Sequence, residues 1–253
     1  MPVTPAHAAA AWPLHRASGR LPLAALVVGT FAPDLEYVLR LKPVGKFGHS
    51  PVGLIVFCVP VTLVVFWAWR TLVRPSLTPL LPAGLRRAAE APPPGRRTDV
   101  LPLAIVAALL GAATHICWDG FTHATGWGVP LFPVLAEIAP GVGLPWYSLA
   151  QYASSAFGML VVGVWIVLTL RSYPPEARAF APGQRGRLIG AVLFVLAVSV
   201  AVAAANAQVG VRNFSNQAGR AAVGGEAGLA LGLVLFALYA RSRQRSKPDT
   251  PTR

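Results

Sequence analysis

The chain has 253 residues, of which 55% are hydrophobic and only 12% charged, a balance far from that of ordinary soluble domains and suited to a protein that lives in a bilayer. Its formal net charge is +13, yet the Lys and Arg residues are neither gathered on one face nor interleaved with aromatics, so they do not describe a nucleic-acid groove. Cys58 and Cys117 both fall inside apolar runs with no ligand or disulfide spacing, which leaves them as small polarizable packing groups.

In chain order, the first apolar piece is LPLAALVVGTF at 21–31. It is too short to span alone, and Pro33 disfavours helix at Ala32, so it reads as a short or re-entrant helix that stops there. A cleaved signal peptide competes with this reading because Arg16 and Arg20 precede the run, but no A-x-A-like site follows. Apolar runs then recur at 52–70, 100–118, 152–170, 187–206 and 222–240. Each is long enough, at about 1.5 Å rise per residue, to cross a hydrocarbon core about 30 Å thick. The expected fold is therefore all-α: a polytopic transmembrane bundle of five full spans plus one short N-terminal helix. It is read as a single integral-membrane domain over 1–253, with short helices and an outer loop at 1–51, the bundle at 52–240 and a basic tail at 241–253.

The basic residues sit in alternate connections. Loop 70–99 holds six arginines, loop 171–186 holds Arg171, Arg178 and Arg185, and the tail holds Arg241, Arg243, Arg245, Lys247 and Arg253, whereas 119–151 holds none. By the positive-inside rule the first three are cytoplasmic, and 119–151 and 207–221 face outward. Within loop 70–99, PAGLRRAAEAPPPGRRTD reads as a mobile connector, and RSRQRSKPDTPTR as a disordered tail attracted to anionic headgroups. Trp127, Phe132, Trp146 and Tyr147 are of the types that favour headgroup depth, as in an aromatic belt. Small residues in GGEAGLALG allow close helix packing.

Chemistry is expected where polar residues meet the outer helix ends. GAATHICWDGFTHATGWGVP at 111–130 spaces His115, Asp119 and His123 by four. Residues four apart share a helix face, so His115 and Asp119 can converge on one ion. His123 lies about 12 Å along the axis from His115, and would join only if the helix breaks at Gly120 and folds it back; otherwise it supports the site from behind or serves a second ion. If the short helix runs from the cytoplasm outward, Asp34 and Glu36 in FAPDLEYV and His49 in KFGHSPVG fall in the outer loop 32–51, with Ser50 as N-cap and Pro51 as first helical residue fixing His49. Asp34, His49, His115 and Asp119 then make a two-His, two-carboxylate set suited to Zn²⁺ or another divalent transition ion, or to a carboxylate-bridged pair. His7 joins only if residues 1–31 form a re-entrant hairpin; a simple count leaves the N-terminus in the cytoplasm.

TPAHAAAAWPL, LPLAALVVGTFAPDLEY, GHSPVGL and THICWDGFTHATGW resemble the signature blocks of a bacterial integral-membrane family known only as domain of unknown function 4184, most clearly over 1–160. A more distant likeness is to membrane-bound metal-dependent hydrolases, which order an early His, a Pro-Asp pair, a His-Ser before a span and a His-x-x-x-Asp closing a helix. That likeness implies His7, Asp34, His49, His115 and Asp119 as metal ligands. This sequence has only FGHS where the hydrolases carry a His-Arg pair and a Thr, and His123 where they commonly carry proline.

The expectation is a multi-pass protein of a bacterial inner membrane with a cytoplasmic C-terminus, the bilayer as its surroundings and a divalent ion, zinc first, as cofactor. Its sharpest functional form is hydrolysis of a lipid or lipid-linked phosphoester at the outer face, with Asp34, Glu36 or Asp119 as general base. The alternative is a non-catalytic transporter or assembly factor in which the same cluster holds a structural ion or relays protons.

Overall fold

The computed structural model describes residues 4–90, 100–209 and 214–245. A 3₁₀ turn at Thr4–Ala10 leads into α1 (Ala11–Ser18), which closes on Gly19 in the left-handed conformation. Next come α2 (Leu23–Phe31) and α3 (Leu35–Arg40). The expected stop before Pro33 is only half observed. The α-helical bonding does end at Phe31, but Ala32 keeps helical dihedrals and the chain tightens through a 3₁₀ turn at Ala32–Asp34 into α3. Proline is tolerated there because a first-turn position needs no N–H.

The remaining α-helices are α4 (Pro51–Leu80), α5 (Ala83–Glu90), α6 (Val100–Thr122), α7 (Gly128–Leu131), α8 (Trp146–Arg171), α9 (Gln184–Ala207) and α10 (Phe214–Arg245). Five helices are long and apolar enough to cross a membrane: α4, α6, α8, α9 and the stretch Gln217–Arg243 of α10. Among the described residues there is no strand, only an isolated bridge between Ile138 and Pro145.

Three boundaries move. The part of the basic connector from 70 to 90 is helical, belonging to the end of α4 and to α5, while 91–99 lies outside the described residues. Helix α10 carries on through Arg245, so the tail is not disordered from 241, and 246–253 lies outside the described residues. Helix α8 starts at Trp146, one and a half turns before the apolar run does, because amphipathic residues extend a helix beyond the strictly apolar core.

Helix α4 contains two π-helical stretches, Leu54–Cys58 and Trp69–Val73. Each ends two residues before a proline, Pro60 or Pro75, whose ring lacks an N–H and crowds the carbonyl four residues back; widening the preceding turn relieves the clash. The Thr71 carbonyl, four residues before Pro75, accepts instead from the Arg241 guanidinium.

The chain forms two compact units. The first comprises 1–36, 45–66 and 93–171. Its core is a crossing of α2 and α6 through small residues: Ala25, Ala104 and Ala107 are fully buried around Leu26. A Cβ on Gly111 would lie 2.6 Å from the Leu26 carbonyl and 2.8 Å from the Thr30 nitrogen. Only glycine there lets the two backbones touch, which is the usual currency of helix association in lipid.

The second unit comprises 37–44, 67–92 and 172–253. Its α9–α10 hairpin is tied by Ser199, whose hydroxyl donates to the Gly225 carbonyl at 2.7 Å within the small-residue stretch. The Asn206 amide donates to the carbonyls of Leu41 and Arg220, and Gln184 Nε2 to that of Pro79 at 3.1 Å. No candidate site residue belongs to this unit.

Candidate metal centre

All the candidate site residues lie in the first unit, and its short elements deliver them to the C-terminal end of α6. His115 and Asp119 lie on one face of that helix, one turn apart, with His115 fully buried. Asp34 closes the 3₁₀ turn after α2 and is buried; the Thr4 hydroxyl donates to its Oδ2 at 2.9 Å. His49 precedes α4, where Ser50 is the N-cap: its Oγ accepts from the Gly53 amide at 2.9 Å and donates to the Phe47 carbonyl at 2.7 Å, with Pro51 at the first position. Replacing Ser50 by alanine is expected to cost about 1 kcal/mol and loosen His49, read as a small fall in Tm with weaker metal binding.

Four atoms define the centre: His49 Nε2, His115 Nε2, Asp34 Oδ1 and Asp119 Oδ2. His49 Nε2 lies 3.5 Å from Asp34 Oδ1 and 3.7 Å from Asp119 Oδ2; His115 Nε2 lies 3.6 Å and 3.2 Å from the same two oxygens. A tetrahedral ion with ligand bonds near 2.0 Å needs donor separations of about 3.3 Å. Each of the four residues offers one ligand atom within 4.8 Å of every other, so this His₂Asp₂ cluster could hold a metal ion. With neutral imidazoles its charge is −2, which a divalent cation balances.

The tautomer of His115 is fixed by its second nitrogen. Nδ1 is 2.7 Å from the Thr30 carbonyl, which can only accept, so Nδ1 carries the hydrogen. Its buried Nε2 then faces the carboxylates of Asp34 and Asp119. A carbonyl holding the far side of an imidazole is the usual way a metal ligand is oriented. The Thr30 carbonyl reaches His115 because Gly111 lets α2 lie against α6.

His7 lies against the cluster but supplies none of its four atoms. Its ring stacks on His115 with centroids 3.9 Å apart, and its Nε2 lies 3.4 Å from Asp119 Oδ1, the oxygen turned away from the four-atom cluster. Burial holds His7 below the usual imidazole range, against the opposing pull of Asp119, so it is neutral near pH 7.

His123 does not fold back through a break at Gly120. Helix α6 runs past Gly120 to Thr122, and that glycine serves packing instead: a Cβ on it would lie 2.3 Å from Trp127 Nε1. His123 reaches the edge of the site as the next turn of the helix, with Nδ1 3.6 Å from Asp119 Oδ2, while its Nε2 accepts from the Gln151 amide at 2.9 Å. That places it beside Asp119 and outside the four-residue cluster.

Glu36 is buried but turned away from the cluster. Its Oε2 accepts from the Gly48 amide at 2.9 Å and its carboxylate abuts Gly45, so it holds the loop that carries His49. Cys58 acts from the other side, its thiol donating to the Gly48 carbonyl at 3.3 Å. Of the belt aromatics, Trp127 packs edge-on against Phe121 and stays half exposed, as do Phe132 and Trp146.

Several contributors escaped sequence reasoning. Thr4 and Gln151 are polar residues in quoted or flanking stretches, and their positions could have been marked; the Thr30 carbonyl is main chain, and no side-chain pattern announces it.

Beside His7 lies a cavity of about 500 Å³, bounded by the N-terminal segment, α6 and α8. Its lining combines Ser154 and Ser155 with apolar Trp12, Pro13, Phe157 and Val161.

Taken together, the fold and the cluster define a multi-pass helical membrane protein with a buried histidine–aspartate centre able to hold a metal ion. The chain belongs to the family described as Domain of unknown function (DUF4184), which matches residues 1–238. No curated protein and no solved structure matches it.

Proposed function

We propose that the protein is a metal-dependent hydrolase of a lipid or lipid-linked phosphoester, working at the outer face of a bacterial inner membrane with its C-terminus in the cytoplasm. The observation that carries the reading is the set of four near-tetrahedral separations among His49, His115, Asp34 and Asp119. The distant likeness to membrane-bound metal-dependent hydrolases and the neighbouring cavity support it.

In this reading those four residues hold the ion, zinc first among the candidates. When bound, a divalent ion of this kind acidifies water and steadies charge developing on a phosphoryl oxygen. Thr4 holds Asp34 in place by donating to its Oδ2. Asp119 presents one oxygen to the cluster and the other to His7, which orients that imidazole as the group able to take a proton from the attacking water and return it to the leaving oxygen. Glu36 sets the position of His49 and does not itself reach the reacting centre.

A second reading has its own support. Four protein donors with His115 fully buried resemble a closed structural site more than an open catalytic one, as a transporter or assembly factor with a structural ion would have.

The test is metal content by mass spectrometry on detergent-purified protein, with phosphate release from lysophosphatidate measured in the same preparation. About one ion per chain with turnover supports the hydrolase; one ion without turnover on any phosphoester moves the assignment to the structural site; no ion in folded protein prepared without chelator overturns both. Zinc affinity is expected to fall in acid, because protons compete for the ligating imidazoles; titration with a zinc indicator at stepped pH reads this.

A further inference from the structure

We propose that the cavity beside His7 is the binding site for the single acyl chain of a lysolipid phosphate, so that the enzyme's substrate class is a lysophosphatidate-like monoester. The inference rests on the hydrolase reading for the role of the head group, but the chain site stands on its own geometry. His7 belongs to both places: it lines the cavity and lies 3.4 Å from Asp119 Oδ1. His7 is therefore the side chain through which the cavity meets the cluster, none of whose four residues lines it.

The polar part of the lining includes Trp118, whose Nε1 donates to Ser154 Oγ at 3.0 Å, and Ser155, whose Oγ is buried without a hydrogen-bond partner. Six residues farther along α8 lies Val161, about 9 Å away at helical rise; Phe157 and Gly158 lie between, Gly158 against Ala6, and Trp12 and Pro13 add to the apolar lining. Polar groups near His7, beside the histidine–aspartate cluster, and an apolar groove along a membrane span match an amphiphile with a phosphate head. A volume of about 500 Å³ is within the range of single-ligand pockets. The Ser155 hydroxyl is placed to donate to the glycerol or ester oxygens just below the phosphate, which would satisfy a group that otherwise loses its solvation for nothing.

The experiment uses a palmitoyl lysophosphatidate with a photoreactive diazirine near the chain end, on full-length zinc-loaded protein in nanodiscs, with labelled peptides mapped by mass spectrometry. Labels are expected on residues 6–13 and 154–161, competed by unlabelled palmitoyl lysophosphatidate and not by glycerol 3-phosphate. Val161→Trp, which fills the groove, is expected to reduce this labelling about tenfold while leaving zinc content unchanged. Should that variant fail to fold, Ala10→Leu tests the same wall from the N-terminal segment. Labels spread over the outward faces of the spans and unchanged in the filled variants would overturn the proposal. His115→Ala separates the two readings: labelling that persists in this metal-free variant, with no phosphate release by the wild type, keeps the chain site and rejects the hydrolase, whereas turnover without cavity labelling keeps the hydrolase and rejects the chain site.

Discussion

Replacing His115 by alanine is expected to reduce bound metal from about one ion per chain to background, the largest effect of any single change in the site. The imidazole supplies one of four donors, and it alone is fully buried and held from behind, by the Thr30 carbonyl. Its loss also leaves Asp34 and Asp119 as buried carboxylates with one fewer partner between them. Breaking such a buried ionic cluster by removing one member typically costs about 3–5 kcal/mol, so a lower Tm should accompany the loss of metal. His123→Ala is the comparison: that ring contacts Gln151 and the edge of Asp119 but contributes none of the four atoms. It should retain the ion, with a modest fall in affinity of about tenfold. If both variants lost metal equally, the four-atom centre would be wrongly drawn. Metal analysis after gel filtration decides it.

The second large effect is expected from Gly111→Leu, remote from the metal-facing atoms. A Cβ there already falls 2.6 Å from the Leu26 carbonyl and 2.8 Å from the Thr30 nitrogen, and these are backbone atoms that cannot rotate aside. Helix α2 must move off α6, breaking the alanine-lined crossing and drawing the Thr30 carbonyl away from His115 Nδ1. Overpacking of this kind costs about 1–3 kcal/mol, and here it should also weaken metal binding, since the ligand's orientation is lost with it. Thermal unfolding in detergent and zinc titration on the same sample should move together. A neighbouring exposed position on the same helix, Val106, provides the control: Val106→Leu should alter neither.

The sequence made membrane residence and the number of spans legible because both depend on a local sum: an apolar run of sufficient length has one low-energy destination whatever its neighbours do. Ser50 and Pro51 were readable for the same reason, since a cap is a contact between residues three apart. The metal-type residues could be picked out because ionisable groups are rare among such helices and each sat at a helix end. Where local rules failed, a distant partner had decided. Residues 70–90 and 241–245, rich in Arg and read as connector and tail, prolong α4 and α10 or form α5, partly because Arg241 finds the carbonyl that Pro75 displaces. Gly120, read as a break, is a seat for Trp127.

What the sequence by itself determined is therefore the five apolar helices, the cap before α4 and the short roster of histidines and carboxylates. Only the tertiary structure decided which of them meet: that His7 stacks on His115, that Glu36 turns to Gly48, that His123 binds Gln151, and that the Thr30 carbonyl fixes the His115 tautomer. The physical reason is range. Hydropathy and capping act over one helix and can be summed along the chain, whereas the site is assembled by contacts such as Thr4 with Asp34 and Thr30 with His115, each made only after α2 and α6 have packed through their glycines and alanines.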